Sequence, residues 1–341
     1  MDTIVFLAHT EADGSLAKAS LEALTAAKTL AGGLGATLSL GLFGADVAAA
    51  ANTVAGCDAS AIYGVSGEAF GQPRYASDVA AMEALVKAAG ATIVIAADDS
   101  RLSRALPGVA ARLGGRIDAH VTGLAAKDGQ AVATRGYYRQ RMQAELTRTA
   151  RPWCLTVSAG CFGACDGPSG QAVVTPVDVP VTEALTRTTV KTVIAPAADE
   201  QTIRPDAKLL FVAGAGWTKK QADGVPHVAD AADLILGFVG KAAASLGSSK
   251  SLVDMGGEGE AVLPFLSHLH QVGQTGATPR HPKGLATCCH GEEPHVVGWR
   301  FIGERRAVNL DPACGWAQGK ADVLYVADAF AVMKKVNELL G

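Results

Sequence analysis

The residues best equipped for chemistry lie in polar strings in the C-terminal part of the chain, and Gln271-Val272-Gly273-Gln274-Thr275-Gly276 is the most informative. Two amides and a hydroxyl held between glycines make a compact, uncharged hydrogen-bonding loop. Such a loop suits the edge of a ring that carries both donors and acceptors. Two further strings, Ala213-Gly214-Ala215-Gly216 and Gly247-Ser248-Ser249-Lys250, stand where strands give way to helices. Glycine at such junctions lets backbone N–H groups approach a phosphate, and Ser and Lys supply hydroxyls and charge. Each string also reads as an ordinary polar turn with a solvated lysine, as do Lys219 and Lys220. Downstream stand His290-Gly291-Glu292-Glu293-Pro294-His295, then Asn309 and Asp311, then Asp328. His281, His290 and His295 are spaced nine and five residues apart across Gly and Pro. That is no helical metal motif, and no metal is expected. The seven cysteines form no disulfide framework: Cys161 and Cys165 are four apart and Cys288-Cys289 adjacent, without the two-residue spacer of a metal knuckle. They are expected as small, reduced apolar residues.

Positioning such strings requires a sheet. Short β-branched runs alternate with Ala- and Leu-rich helical stretches, the pattern of an α/β fold on mostly parallel strands. Ile4 to Ala8 reads as a buried strand, followed by a helix capped by Ser15, running to about Ala31 and stopped by Gly32-Gly33. Thr37 to Leu42 and Ala91 to Ala96 read as strands and Ser77 to Ala89 as a helix. Between about Ala131 and Val193 helical periodicity fades, and extended runs such as Trp153 to Val157 and Val173 to Val177 suggest an antiparallel extension of the sheet. The Pro- and acid-containing stretch Ile194 to Glu200 reads as a linker. The alternation then restarts. Strands are expected at Leu209 to Ala213, Gly284 to Cys288, Ala307 to Asn309 and Val323 to Ala327. Helices are expected over most of Val228 to Leu246, over Glu258 to Leu269 and over Phe330 to Leu340. Two domains follow, 1–195 and 205–341, each a mostly parallel sheet flanked by helices.

Composition narrows the function classes. The 341 residues are 49% hydrophobic and 18% charged, with a formal net charge of -3. A chain of this kind builds real cores, and it lacks the basic surface of a nucleic-acid binder. No apolar run reaches membrane-spanning length, and the amino terminus opens directly on a strand without a signal- or transit-peptide pattern. A cytoplasmic protein without membrane insertion is expected.

The order of strings in the second half resembles the alpha subunit of electron-transfer flavoproteins. Gln271 to Gly276, His295 at a helix start, Asn309-Leu310-Asp311-Pro312 and Ala327-Asp328 entering the last helix carry the likeness. The first half is similar more loosely, through its opening strand and helix and through Arg101 to Gly114. The resemblance implies that the second domain is a nucleotide-binding-like domain that holds FAD and that the first contacts a beta subunit. The Gln271-Val272-Gly273-Gln274-Thr275 loop would border the flavin, with the Thr275 hydroxyl near N5. His295 would lie near the pyrimidine carbonyl, and Ser249 would touch the cofactor. Asn309 and Asp328 would hold the adenosine end. No catalytic residue is implied: the family carries electrons from a flavin-dependent dehydrogenase to a quinone reductase or an iron–sulfur protein.

The chain departs from the family pattern at three places. Ala213-Gly214-Ala215-Gly216 stands for Gly-Gly-Arg-Gly, so an arginine expected on the pyrophosphate is absent. Lys250 replaces an arginine over the flavin, keeping charge but losing the planar fork. Cys288-Cys289-His290-Gly291 replaces Gly-Ile-Ser-Gly, bringing the imidazole of His290 beside Gly291 where a small hydroxyl is usual. A divergent member is therefore expected. Two other readings stand beside it: an NAD-dependent oxidoreductase using His290 and His295 as acid and base, and a nucleotide-binding scaffold subunit that has lost ordinary FAD binding.

Overall fold

The computed structural model describes residues 2–138, 142–192, 203–204, 207–255, 261–272, 280–287, 302–312 and 321–341. The chain divides into two compact units, Met1–Val193 and Ile194–Gly341.

The first unit begins with β1 (Thr3–His9), α1 (Lys18–Leu34), β2 (Thr37–Gly44), α2 (Ala48–Thr53), β3 (Ala61–Ser66), α3 (Glu68–Gly71) and α4 (Tyr75–Ala88). It continues with β4 (Ile93–Ala97), α5 (Ser100–Arg112), β5 (Arg116–Lys127), β6 (Gln130–Tyr137), β7 (Met142–Leu146), β8 (Trp153–Val157), β9 (Val174–Pro176) and α6 (Glu183–Thr186). The strands form one sheet in the order β7-β6-β5-β8-β4-β1-β2-β3-β9. Neighbours from β5 to β9 run parallel, and β6 and β7 extend the sheet antiparallel. Ile4 to Ala8 are fully buried without alternation, as a parallel strand covered on both faces requires.

Three expectations about this unit need correction. Ser15 does not cap α1: its N–H and hydroxyl both donate to Asp13, and the helix starts at Lys18. Nor do Gly32-Gly33 stop it. They lie inside α1, which ends at Gly35 in the left-handed conformation (φ 59°) with its N–H on the last carbonyls. Gly33 serves close packing instead, because a Cβ there would sit 2.9 Å from the Ala126 Cβ. The antiparallel extension consists of β6 and β7 alone. Trp153 to Val157 is a buried parallel strand between β4 and β5, and Val174–Pro176 pairs parallel with β3. The chain turns back from the hairpin into the sheet, because five consecutive buried residues need cover on both faces.

The second unit contains β10 (Leu209–Ala213), α7 (Val228–Lys241), β11 (Ser245–Ser248), α8 (Lys250–Asp254), β12 (Lys283–Thr287), β13 (Glu304–Asn309), β14 (Val323–Val326) and α9 (Ala329–Leu339). The strands run parallel in the order β11-β10-β12-β13-β14. Alternate residues of β10 feed opposite faces. Phe211 and Ala213 pack with Trp217, Ile235, Phe238 and Met333, whereas Leu210 and Val212 pack with Val272, Ala286, Ile302 and Ala307. One helix expectation holds over most of its span, and another is overturned. α7 ends at Lys241, Ala243 takes a left-handed φ of 47°, and Ser245–Ser248 is a strand. The described part of the expected helix from Glu258 to Leu269 holds only the start of a 3₁₀ turn, His268–His270, capped by Ser267. Pro264, without an N–H, stands in the middle of that stretch. Among the described residues no helix is long and apolar enough to cross a membrane.

Candidate cofactor site

In chain order the second sheet runs second, first, third, fourth, fifth. The connections after β10 and β11 therefore leave in opposite directions, opening a crevice at the carboxyl ends of β10 and β12. In open parallel sheets this reversal is where ligands bind.

Backbone bonds tie the strand ends together there. The Gly214 N–H donates to Thr287 O (2.8 Å), and the Ser249 N–H donates to Ala213 O (2.8 Å). The Val272 N–H donates to Ser248 O (3.0 Å), and Gln271 pairs with Ser248 in an isolated parallel bridge. Gly247 permits this approach, because a Cβ there would meet Val272 Cγ2 at 2.6 Å. Trp217, fully buried in the turn after β10, donates its indole N–H to Thr287 Oγ1 (2.9 Å) and packs on Phe330 with ring centroids 4.6 Å apart.

Ser249, Lys250, Gln271 and Val272 are thus gathered where β11 ends. Ser249 caps α8, its Oγ accepting from the Leu252 N–H (3.3 Å). Lys250 Nζ pairs with Asp254, whose second oxygen accepts from His268 Nε2 (2.8 Å). The Lys250 ammonium, helped by His268, holds the Asp254 carboxyl below the usual carboxylate range. Gln271 is buried. The Ser248 Oγ is buried with no protein partner among the described residues, an unsatisfied donor and acceptor at the strand end.

Asn309 and Asp328 lie farther along the same edge. Asn309 ends β13, its Oδ1 accepting from the Asp311 N–H (3.0 Å). Asp328 follows β14 and caps α9, accepting from the Phe330 N–H (2.9 Å). At a strand spacing of about 4.8 Å, the ends of β11 and β14 stand roughly 19 Å apart. Gly273, Gln274, Thr275, His290, Gly291 and His295 lie outside the described residues.

Ala215 is buried in the apolar cluster of Trp217 and Met255, so an arginine side chain at this position would have to leave that cluster or bury its charge. Lys219 and Lys220 are exposed. His281 is buried with Nε2 on Arg204 O (2.8 Å), and among the described residues no three His, Cys, Asp or Glu side chains gather as a metal cluster. Sequence reasoning did not single out Trp217, Thr287, Asp254 or His268. Asp254 had a local signal, four residues after Lys250 on a helix, whereas the others are defined by contacts with residues distant in sequence.

The carboxyl ends of β1 and β4 in the first unit carry a different, self-contained polar block. Arg101 pairs with buried Asp78 (2.7 Å), donates to Phe70 O (2.6 Å) and stacks over Phe43. His9 Nε2 lies 3.5 Å from Asp99. Burial pulls the His9 imidazole down, but the Asp99 carboxylate outweighs it and the net direction is upward from the usual histidine value.

A family model for the electron transfer flavoprotein domain matches residues 4–183, and no curated protein matches the chain. The match covers most of the first unit and more than half of the chain, while every residue of the candidate cofactor site lies beyond it. On that match, over a unit built as a mostly parallel sheet flanked by helices, the chain belongs to the electron transfer flavoprotein family.

Proposed function

We propose that this chain is the FAD-binding alpha subunit of an electron-transfer flavoprotein, paired with a beta subunit and without substrate turnover of its own. The observation that carries the reading is the row of polar groups along the carboxyl edge of the second sheet. It starts at the Ser248 hydroxyl, which has no partner among the described residues, and runs through Ser249 and Gln271 to Asn309 and Asp328. The row spans roughly 19 Å of strand ends, suited to an extended dinucleotide rather than a mononucleotide.

The residues present fit FAD. Ser248 and Ser249 offer hydroxyls and Gln271 an amide at one end of the row, and Asn309 and Asp328 offer the ribose and adenine partners at the other. Lys250, ion-paired with Asp254, stands where an arginine is usual but lacks its stacking surface. Gly273, Gln274, Thr275, His290, Gly291 and His295 complete the set on sequence grounds. Bound FAD would supply the redox chemistry, taking electrons from a flavin-dependent dehydrogenase and giving them to a quinone reductase or iron–sulfur protein. The protein's part is to bind, orient and shield the ring and to set the charge around it.

Co-expression with the beta subunit, followed by denaturation and mass spectrometry of the released nucleotides, tests this. FAD in stoichiometric amount is the expected result. Tightly held NAD would favour the oxidoreductase reading, and AMP alone or no nucleotide would favour a scaffold that has lost FAD.

A further inference from the structure

Asp254 closes α8, the short helix that Ser249 caps and Lys250 begins, and it faces the segment that carries His268, Gln271 and Val272 at the end of β11. One carboxylate oxygen of Asp254 takes Lys250 Nζ and the other takes His268 Nε2 at 2.8 Å. The three side chains are 38%, 29% and 67% exposed for Lys250, Asp254 and His268. Ion pairs this wet contribute little to stability, and salt screens them. The Lys250 contact is an i,i+4 pair within α8, so what Asp254 adds is the tie to His268 on the neighbouring segment and a negative charge beside Lys250.

We infer that Asp254 is a positioning residue for the cofactor edge: it latches α8 to the His268–Val272 segment and offsets the Lys250 charge presented there. The inference rests on the flavin reading of this edge. With Asp254 in place, the Lys250–Asp254 pair carries no net charge. With Asp254 neutralised, Lys250 stands as an uncompensated cation beside a cofactor that gains negative charge on reduction.

The experiment uses the heterodimer with its bound flavin and compares wild type, Asp254→Asn, Asp254→Glu and Lys250→Gln by flavin content and redox titration. Asp254→Asn is expected to raise the flavin potential, making reduced flavin at least several-fold more populated at a fixed applied potential; each tenfold corresponds to about 30 mV for a two-electron couple. Asp254→Glu restores the carboxylate and is expected to return the potential towards wild type. Lys250→Gln is expected to lower it. A flavin-loaded Asp254→Asn protein with the wild-type potential overturns this inference and leaves the function standing. If Asp254→Asn loses its flavin, the Lys250→Gln protein decides: an unmoved potential overturns the inference, and a lowered one supports it. A wild-type heterodimer without flavin overturns the functional reading, and this inference with it.

Discussion

Gly247→Ala tests the packing that builds the candidate site. An added Cβ at 247 would stand 2.6 Å from Val272 Cγ2, 3.2 Å from Leu210 Cδ1 and 3.4 Å from Phe211 O. Carbon atoms pack at about 3.5–4.0 Å, so Val272 must retreat by roughly 1 Å. Its β-branched side chain has little rotamer freedom with which to do so. A shift of that size takes the Val272 N–H, now 3.0 Å from Ser248 O, out of hydrogen-bonding range. Forced repacking costs about 1–3 kcal/mol and the lost bond about 1 kcal/mol, so the second unit should lose about 2–4 kcal/mol. Val272→Ala alone removes two buried methyl groups and costs about 1.6 kcal/mol by transfer. Combined with Gly247→Ala it also removes the clash, so the double variant should be more stable than the sum of the singles by about 1–3 kcal/mol. Hydrogen exchange read by mass spectrometry over peptides spanning 245–250 and 268–272 is the suitable assay, because two units need not unfold in one transition. Unchanged protection of those peptides in Gly247→Ala, or strict additivity in the double variant, would refute the reasoning.

Two further outcomes concern the first unit. Asp78→Ala leaves the 8%-exposed guanidinium of Arg101 without its carboxylate and should cost about 3–5 kcal/mol in denaturant unfolding, whereas Asp78→Leu with Arg101→Met should recover much of that; equal losses in both proteins would contradict a buried-charge penalty. The Asp99 carboxylate raises His9 above the ordinary histidine value despite its burial, so the stability it contributes is fully present below the unfolded value and is lost as pH rises through the folded one. The denaturant-midpoint deficit of His9→Asn should therefore be largest on the acid side and shrink upward, and a pH-independent deficit would rule out this linkage.

Local pattern carried much of this protein. Ile4 to Ala8, Leu209 to Ala213 and Trp153 to Val157 are legible as strands because unbroken apolar runs have no exposed face to offer. Asp328 is legible as a helix start because a short acidic side chain before a helical run satisfies an orphan N–H. Helix ends were less legible. The glycines at 32 and 33 look like a stop, yet the stop falls at Gly35, where a left-handed residue is needed, while Gly33 answers to Ala126 on another element.

What the sequence by itself determined is the alternation of strands and helices, the division into two units' worth of apolar pattern, and the polar strings at strand ends that carry the likeness to electron-transfer flavoproteins. All of these follow from side-chain periodicity and from backbone demands satisfied within a few residues. Only the tertiary structure decided the strand order, with β8 between β4 and β5 and the reversal between β10 and β12, since hydrogen-bonding partners in a parallel sheet are distant in sequence. It alone joined Ser248 to Gln271 and Asp254 to His268, contacts made where separate segments meet at one strand end. The polar edge proposed to hold the flavin was therefore written as separate strings and became one row only when the sheet was assembled.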